Sequence, residues 1–499
     1  MTLAIIGAGP SGLAAAKSAK ECGLEPVVFE KGSTVGGLWK PQGGCVWDSM
    51  RTNISHHTCA FSDHPWKDSV EPFPNQSEVY EYLSSYADAF KIHPHVRLNS
   101  EVKKVEKAGE QWQVEWVSNG QTASGNFDYL VVCSGVFSKA FTPAIPGMAD
   151  FKGLQLHAKD YKTPDPFRDK NVVVVGNAFS GAEIAAEIAQ TAQQVTHVIR
   201  RPVWVLPRYF PGANPEQKIP GDLIFYSRAA NARNKGIPQP VLNAQKSQWF
   251  QSICSSQGEI CSDLKIPVPS EAPAFVTISD AYLEQVKAGK ITVCVGEIAK
   301  IEEDAIVVTH KPPCKPDALV FCTGYQGIIP FLGSQMQSLL EIQEDDLLQP
   351  FLMHKTVFHP QFPTMAFVGM YRGPFFAAME LQARMACMTF SGKIPFPTQE
   401  MIQEGLLAEK QIREAVPRPQ FPHGDYVRFC DDLANHIGVL PNFEQMKQES
   451  PDLFDRLWNG PFTSASFRLT GFGSKPEVAM TTILRINAAV KPEERTSAL

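Results

Sequence analysis

Two glycine-rich turns of one design, far apart in this 499-residue chain, open units that end in opposite charges. The first is Gly7-Ala8-Gly9-Pro10-Ser11-Gly12, directly after the apolar run Leu3–Ile6, and Glu30 stands 18 residues past Gly12. The second is Gly176-Asn177-Ala178-Phe179-Ser180-Gly181, directly after Val172–Val175, and Arg200 and Arg201 begin 19 residues past Gly181. Strand, glycine turn and helix place a pyrophosphate at a helix N-terminus. An acid at the end of the unit hydrogen-bonds a free ribose hydroxyl, whereas arginine accommodates a 2′-phosphate. The chain is therefore expected to be α/β, with two Rossmann-like dinucleotide-binding domains. FAD on the first and NADPH on the second is the expected pair, which means redox chemistry. Gly7 permits the tight turn, Gly9 close approach to the pyrophosphate and Gly12 close helix packing. Ala178 replaces the middle glycine of the second turn, so a slightly looser approach is expected there, with Ser180 as a phosphate ligand and Arg208 as a further cation nearby.

The length suffices for two or three domains. A net charge of −6 argues against nucleic acid as a partner. Eleven cysteines without a C-x-x-C suggest reduced thiols, neither a disulfide framework nor a metal site, and a cytoplasmic location. No stretch reaches the ~20 apolar residues of a membrane span, and the chain starts at its first strand, leaving no room for a signal peptide. Ser497-Ala498-Leu499 matches a peroxisomal address only at chance level.

Strand, helix and strand are expected over 3–30, then an irregular, site-lining stretch over 31–75. An amphipathic helix Glu78–Phe90, meander strands Val102–Val105 and Trp112–Trp116, and a buried strand Tyr129–Cys133 follow. A second βαβ unit starts near Asn171. The expected division is 1–165 as the first part of the FAD domain and 166–317 as the NADPH domain. The latter carries an insertion at about 207–275, helical around Asp222–Ala230 and Gln245–Ser252. The rest, 318–499, starting at the buried strand Ala318–Phe321, is expected to return to the FAD domain. Trp47, Phe61, Trp66, Tyr209 and Phe376 are candidate cavity walls, with core packing the default for each.

The segment Phe151-Lys152-Gly153-Leu154-Gln155-Leu156-His157-Ala158-Lys159-Asp160-Tyr161-Lys162 fits the fingerprint FxGxxxHxxx(Y/F)(K/R). With Glu30-Lys31, Gly36-Gly37-Leu38-Trp39, Thr52-Asn53, Phe61-Ser62-Asp63, Cys322-Thr323-Gly324-Tyr325, Glu380-Leu381-Gln382-Ala383-Arg384 and Phe467-Arg468-Leu469, it makes the chain resemble the flavin-containing monooxygenase family over almost its whole length. The resemblance implies a glutathione-reductase-like architecture in which the NADPH domain interrupts the FAD domain. It implies FAD contacts at Gly7, Gly9, Pro10, Ser11, Gly12, Glu30, Lys31, Gly37, Leu38 and Trp39, and an active-site amide at Asn53 beside Thr52. Further cofactor contacts are expected at Val102, Ser134, Gly135, Thr323, Gly324 and Gln382. NADPH contacts are expected at Gly176, Asn177, Ser180, Gly181, Arg200 and Arg201, and His157 is expected to organise the linker rather than move a proton. Two departures stand out. His56-His57 occupies the place where the family often carries a lysine, and the C-terminal membrane anchor of vertebrate members has no counterpart.

What the resemblance implies is NADPH- and O2-dependent monooxygenation: a C4a-hydroperoxyflavin gives one oxygen to a soft nitrogen or sulfur of a small amine or sulfide. A homodimer is expected by analogy alone. A Baeyer–Villiger monooxygenase is the nearest alternative, but its usual fingerprint has Trp where this chain has Tyr161. A disulfide reductase lacks its C-x-x-C here, and an uncoupled NADPH oxidase is the remaining reading.

Overall fold

The computed structural model describes residues 1–137, 139–212, 217–254, 257–302, 305–373 and 376–490; the tail with Ser497-Ala498-Leu499 lies outside them. The chain begins with β1 (Thr2–Ile6), α1 (Pro10–Glu21) and β2 (Glu25–Phe29), as the first glycine turn requires. α2 (Gln76–Ala89) starts two residues earlier than its apolar periodicity suggests, because Asn75 and Glu78 form a capping box. β3 (Val96–Arg97), the antiparallel meander β4 (Ser100–Ala108), β5 (Gln111–Ser118) and β6 (Gln121–Phe127), and β7 (Tyr129–Val132) follow. The first sheet runs Met365–Phe367, β7, β1, β2, β3, every pair parallel. Leu3, Ala4 and Ile5 are wholly buried, as continuous apolar runs in a sheet covered on both faces should be.

β8 (Lys139–Ala140) pairs with Tyr325–Gln326. β9 (Leu154–His157) comes from the fingerprint segment, and β10 (Asn171–Val175), α3 (Phe179–Ile188) and β11 (Gln194–Ile199) repeat the opening pattern. The second sheet is also parallel, in the order Ile291–Val295, β11, β10, Ala318–Phe321, β9. One expected strand thus lies in a different sheet, and β9, where no strand is expected, joins it there. Ala318–Phe321 pairs with β10 rather than joining the returning first unit, and β9 closes the edge of the same sheet. Boundaries at 165 and 317 cut through it. An apolar run signals burial but not which sheet buries it.

In the insertion, the expected helix over Asp222–Ala230 is broken into α4 (Gly221–Phe225) and α5 (Arg228–Arg233). Ser227 caps α5 by accepting the Ala230 N–H at 3.2 Å. The second expected helix is longer than its periodicity showed: α6 covers Gln239–Ile253, entered through Pro238 and Pro240.

Helix Phe376–Phe390, buried almost all round, packs against α1. Behind α1, three short sequence matches converge on one buried ion cluster. Arg468 Nη2 donates to Glu380 Oε1 at 2.6 Å, and its Nε donates to Ser62 Oγ at 2.7 Å. Lys17 and Lys475 each reach Asp63 Oδ2 at 2.6 Å. Burial pushes the Asp63 carboxyl up, but the Arg468 and Lys17 charges outweigh it and hold it below the usual carboxylate range. Phe61-Ser62-Asp63, Glu380–Arg384 and Phe467–Leu469 therefore meet as scaffold, tying α1 to the C-terminal helices.

Candidate active site

The two glycine turns have one construction. β1 leads into Gly7, whose φ is +106° and whose N–H donates to Phe29 O at 2.8 Å. α1 begins so close behind it that a Cβ on Gly12 would lie 1.8 Å from Gly7 O. Gly176, with φ +110°, donates to Val198 O at 3.0 Å, and a Cβ on Gly181 would lie 1.9 Å from Gly176 O. Gly12 and Gly181 thus each let a helix pack directly beneath its turn. The N-caps are Gly9 and Ala178, and neither contributes a capping side chain. Both helix N-termini accordingly keep open donors for a pyrophosphate. Ala178 sits in extended backbone, which accepts a Cβ.

Glu30 closes the first unit from a buried position. Its Oε2 accepts the Ala8 N–H at 2.9 Å and its Oε1 the Gly32 N–H at 2.7 Å, with Lys40 Nζ 3.7 Å away. A carboxylate oxygen with one such bond keeps a lone pair for a ribose hydroxyl. Arg200 and Arg201 are exposed where the second unit ends. Arg201 lies over the Phe275 ring, 3.7 Å from its centroid, and burial and the like charge of Arg200 lower its pKa. Two adjacent guanidinium groups suit a phosphate. The buried oxygens Thr52 Oγ1 and Asn177 Oδ1, both on cavity-lining residues, have no hydrogen-bond partner among the described residues. Open helix ends, an acid, paired arginines and orphaned acceptors fit two dinucleotides.

Both turns open on one cavity of about 3070 Å³, and every expected site residue except Gly12, Gly181 and Gln382 lines it. Gln382 does not reach the wall: it is fully buried, accepts the Gly369 N–H at 3.0 Å and donates to Thr356 Oγ1, which ties it to the Gly369 loop. Of the aromatic candidates, Trp47 and Phe376 reach the wall. Phe61 is core, Trp66 stacks on Tyr82 at 4.1 Å, and Tyr209 packs on Phe73. Tyr226 and Tyr426, which had no local sequence signal, complete the wall.

Asn53 faces the cavity from a turn held on two sides. On one side, Thr52 and His56 donate their N–H groups to Pro74 O and Pro72 O at 3.0 and 2.7 Å. On the other, Arg208 Nε donates to Thr52 O at 3.1 Å. Arg208 is not a spare cation for phosphate, because Glu183 and Asp280 pair with it at 2.6 and 3.0 Å. Asp222 accepts Ser55 N–H at 3.0 Å, Ser55 Oγ–H at 2.6 Å and Thr58 Oγ1–H at 2.5 Å. Burial raises the Asp222 pKa, and these hydrogen bonds oppose the rise.

The histidines divide by role. His56 and His57 pack edge to face, off the cavity wall, and burial lowers their pKa values to about 3 and about 4. They bring no positive charge to the substrate side at neutral pH. His157 Nε2 donates to Gly324 O at 3.1 Å while Nδ1 accepts the Lys159 N–H at 3.0 Å, which fixes its ring between the fingerprint segment and the Gly324 turn. His197, which the sequence did not single out, lies under the second turn. Its Nε2–H donates to Gly176 O at 2.7 Å, so Nδ1 accepts from Tyr282 Oη at 2.7 Å.

A fold of two parallel βαβ units facing one cavity defines a two-dinucleotide oxidoreductase of the flavoprotein type. The family model for flavin-binding monooxygenase-like proteins matches residues 1–496. Flavin-containing monooxygenase 5 of Cavia porcellus is 31% identical over 492 residues, 94% of this chain and 89% of that protein. Flavin-containing monooxygenase 1 of Rattus norvegicus is 30% identical over 497 residues, covering 94% and 89%. Among solved structures, S-allyl-L-cysteine S-oxygenase from Allium sativum superposes with a TM-score of 0.64 at 23% identity, covering 92% and 95%. NADP+-bound cyclohexanone monooxygenase from Rhodococcus sp. Phi1 does so with 0.65 at 18%, covering 88% and 97%. The chain belongs to the flavin-binding monooxygenase-like family. It is a flavin-dependent oxidoreductase, and the expected pair FAD and NADPH agrees with that membership. No helix among the described residues is long and apolar enough to cross a membrane.

Proposed function

We propose that this protein is an FAD- and NADPH-dependent monooxygenase that transfers one atom of O2 to a soft nitrogen or sulfur of a small molecule. The observation that carries the reading is the single cavity onto which both glycine turns and Asn53 open. Bound flavin, reduced by the nicotinamide, supplies the activation of O2. The chain's own residues do the rest. The open N-termini of α1 and α3 hold the two pyrophosphates, Glu30 takes a ribose hydroxyl, and Arg200 with Arg201 selects the 2′-phosphate. Asn53 orients the reacting rings through its amide, and Tyr226, Tyr426 and Phe376 exclude water around it.

Tyr161 does not touch this cavity. It is fully buried between Trp47 and Phe167, with ring centroids 6.3 and 6.0 Å away. The fingerprint difference from Baeyer–Villiger enzymes therefore acts here through packing behind Trp47. The test is product analysis after NADPH consumption with a thioether and a cyclic ketone in separate reactions. Sulfoxide without lactone is the expected result; lactone as the main product would replace N/S-oxygenation by Baeyer–Villiger chemistry.

A further inference from the structure

The insertion looks from sequence like an elaboration of the second unit, yet it supplies two side chains to the turn that carries Asn53. Arg208 and Asp222 are both buried and both line the cavity. Asp222 satisfies three donors from one short stretch: the Ser55 amide and the Ser55 and Thr58 hydroxyls, at 2.5–3.0 Å. Among the described residues no cation pairs with Asp222, so these donors are what balances its desolvated charge. Arg208 spreads its guanidinium over three partners: Thr52 O, Asp280, and Glu183 on α3, one turn of helix from the residues expected to hold the second pyrophosphate.

We propose that Asp222 and Arg208 are positioning residues for Asn53, Asp222 fixing its turn from beyond and Arg208 tying that turn to the helix of the second dinucleotide site. The proposal rests on the reading that Asn53 works beside the flavin. The arrangement gives the insertion a mechanistic task. A turn held only by Pro72 and Pro74 would be free to shift toward the cavity, and shifts of this kind at a reacting centre change rates far more than stability.

The experiment uses the purified flavin-loaded full chain and measures oxygenated product and hydrogen peroxide per NADPH consumed with a thioether. Flavin content, melting temperature and NADP+ affinity are measured alongside. The variants are Asp222→Asn, Ser55→Ala combined with Thr58→Val, Arg208→Lys and Asn53→Ala. Asp222→Asn and the Ser55/Thr58 pair should retain flavin and bind NADP+ as the parent does, while product per NADPH falls roughly tenfold and peroxide rises to match. Arg208→Lys should show the same loss and also weaken NADP+ binding several-fold, because one ammonium cannot span Thr52 O, Glu183 and Asp280 as the guanidinium fork does. Should Asp222→Asn fail to hold flavin, the Ser55/Thr58 pair, which removes the two hydroxyl bonds from the other side and keeps the Ser55 amide bond, decides. Parent-like partitioning in these variants while Asn53→Ala uncouples would overturn the proposal and leave Asn53 in place. Parent-like partitioning in Asn53→Ala would instead overturn the reading of Asn53. A fall in melting temperature with unchanged partitioning would assign Asp222 and Arg208 to the scaffold alone.

Discussion

Gly12 and Gly181 perform one task at two sites, and substituting each separates the two cofactors. A Cβ at either position meets the carbonyl of its own turn at under 2 Å, and backbone has no room to give. Gly12→Ala should yield protein purified without flavin. Gly181→Ala should stay yellow while losing NADPH binding, measured by titration of the flavin spectrum; loss of flavin in both would contradict the assignment of separate sites. His197 gives a pH signature at the same scale. Burial lowers its pKa to about 4, against ~6.5 for an unperturbed histidine. The unfolded chain therefore binds a proton that the native state excludes, and stability falls as pH drops from about 6.5 toward 4. Its share of that slope is up to about 1.4 kcal/mol per pH unit. Melts of His197→Gln across that range should be less steep than the parent's; an equal slope would remove His197 as a contributor. These residues also mark what sequence shows at this scale. The glycines and Glu30 were legible because their task is local to one turn. Arg208 was not, since sequence gives a charge but not its partners, and Gln382 lies off the cavity wall despite sitting in a recognisable run.

At the scale of elements, the surprise is that three scattered motifs form one object. Phe61-Ser62-Asp63, the start of the long buried helix and Phe467-Arg468-Leu469 meet behind α1, the helix whose N-terminus forms the flavin-side turn. Arg468→Met takes from buried Glu380 its partner at 2.6 Å and leaves Lys17 Nζ 4.0 Å away, while Asp63 keeps Lys17 and Lys475; breaking such a buried pair costs about 3–5 kcal/mol. A chemical-denaturation midpoint shift corresponding to less than ~1 kcal/mol would mean the cluster is solvated like a surface bridge. Strands and helices with regular periodicity were visible in advance. The break between α4 and α5 was not, because it turns on one Ser227 cap, and the sheet membership of Ala318–Phe321 was not, because it is decided by crossover topology.

For the whole molecule, two halves built alike face one cavity, and the insertion and the returning C-terminal helices close it. The pair of cofactors was legible from two turns and the charges that follow them. The cavity wall was not, since Tyr226, Tyr426 and Phe376 come together only through the tertiary fold and carry no local code. The most direct measurement is turnover with a thioether under oxygen gas of a heavy isotope, scoring label in the product and NADPH consumed per product. The account predicts one labelled oxygen atom in the sulfoxide and about one NADPH per product, as monooxygenation requires. Unlabelled product, or NADPH consumption ending wholly in peroxide, would contradict it.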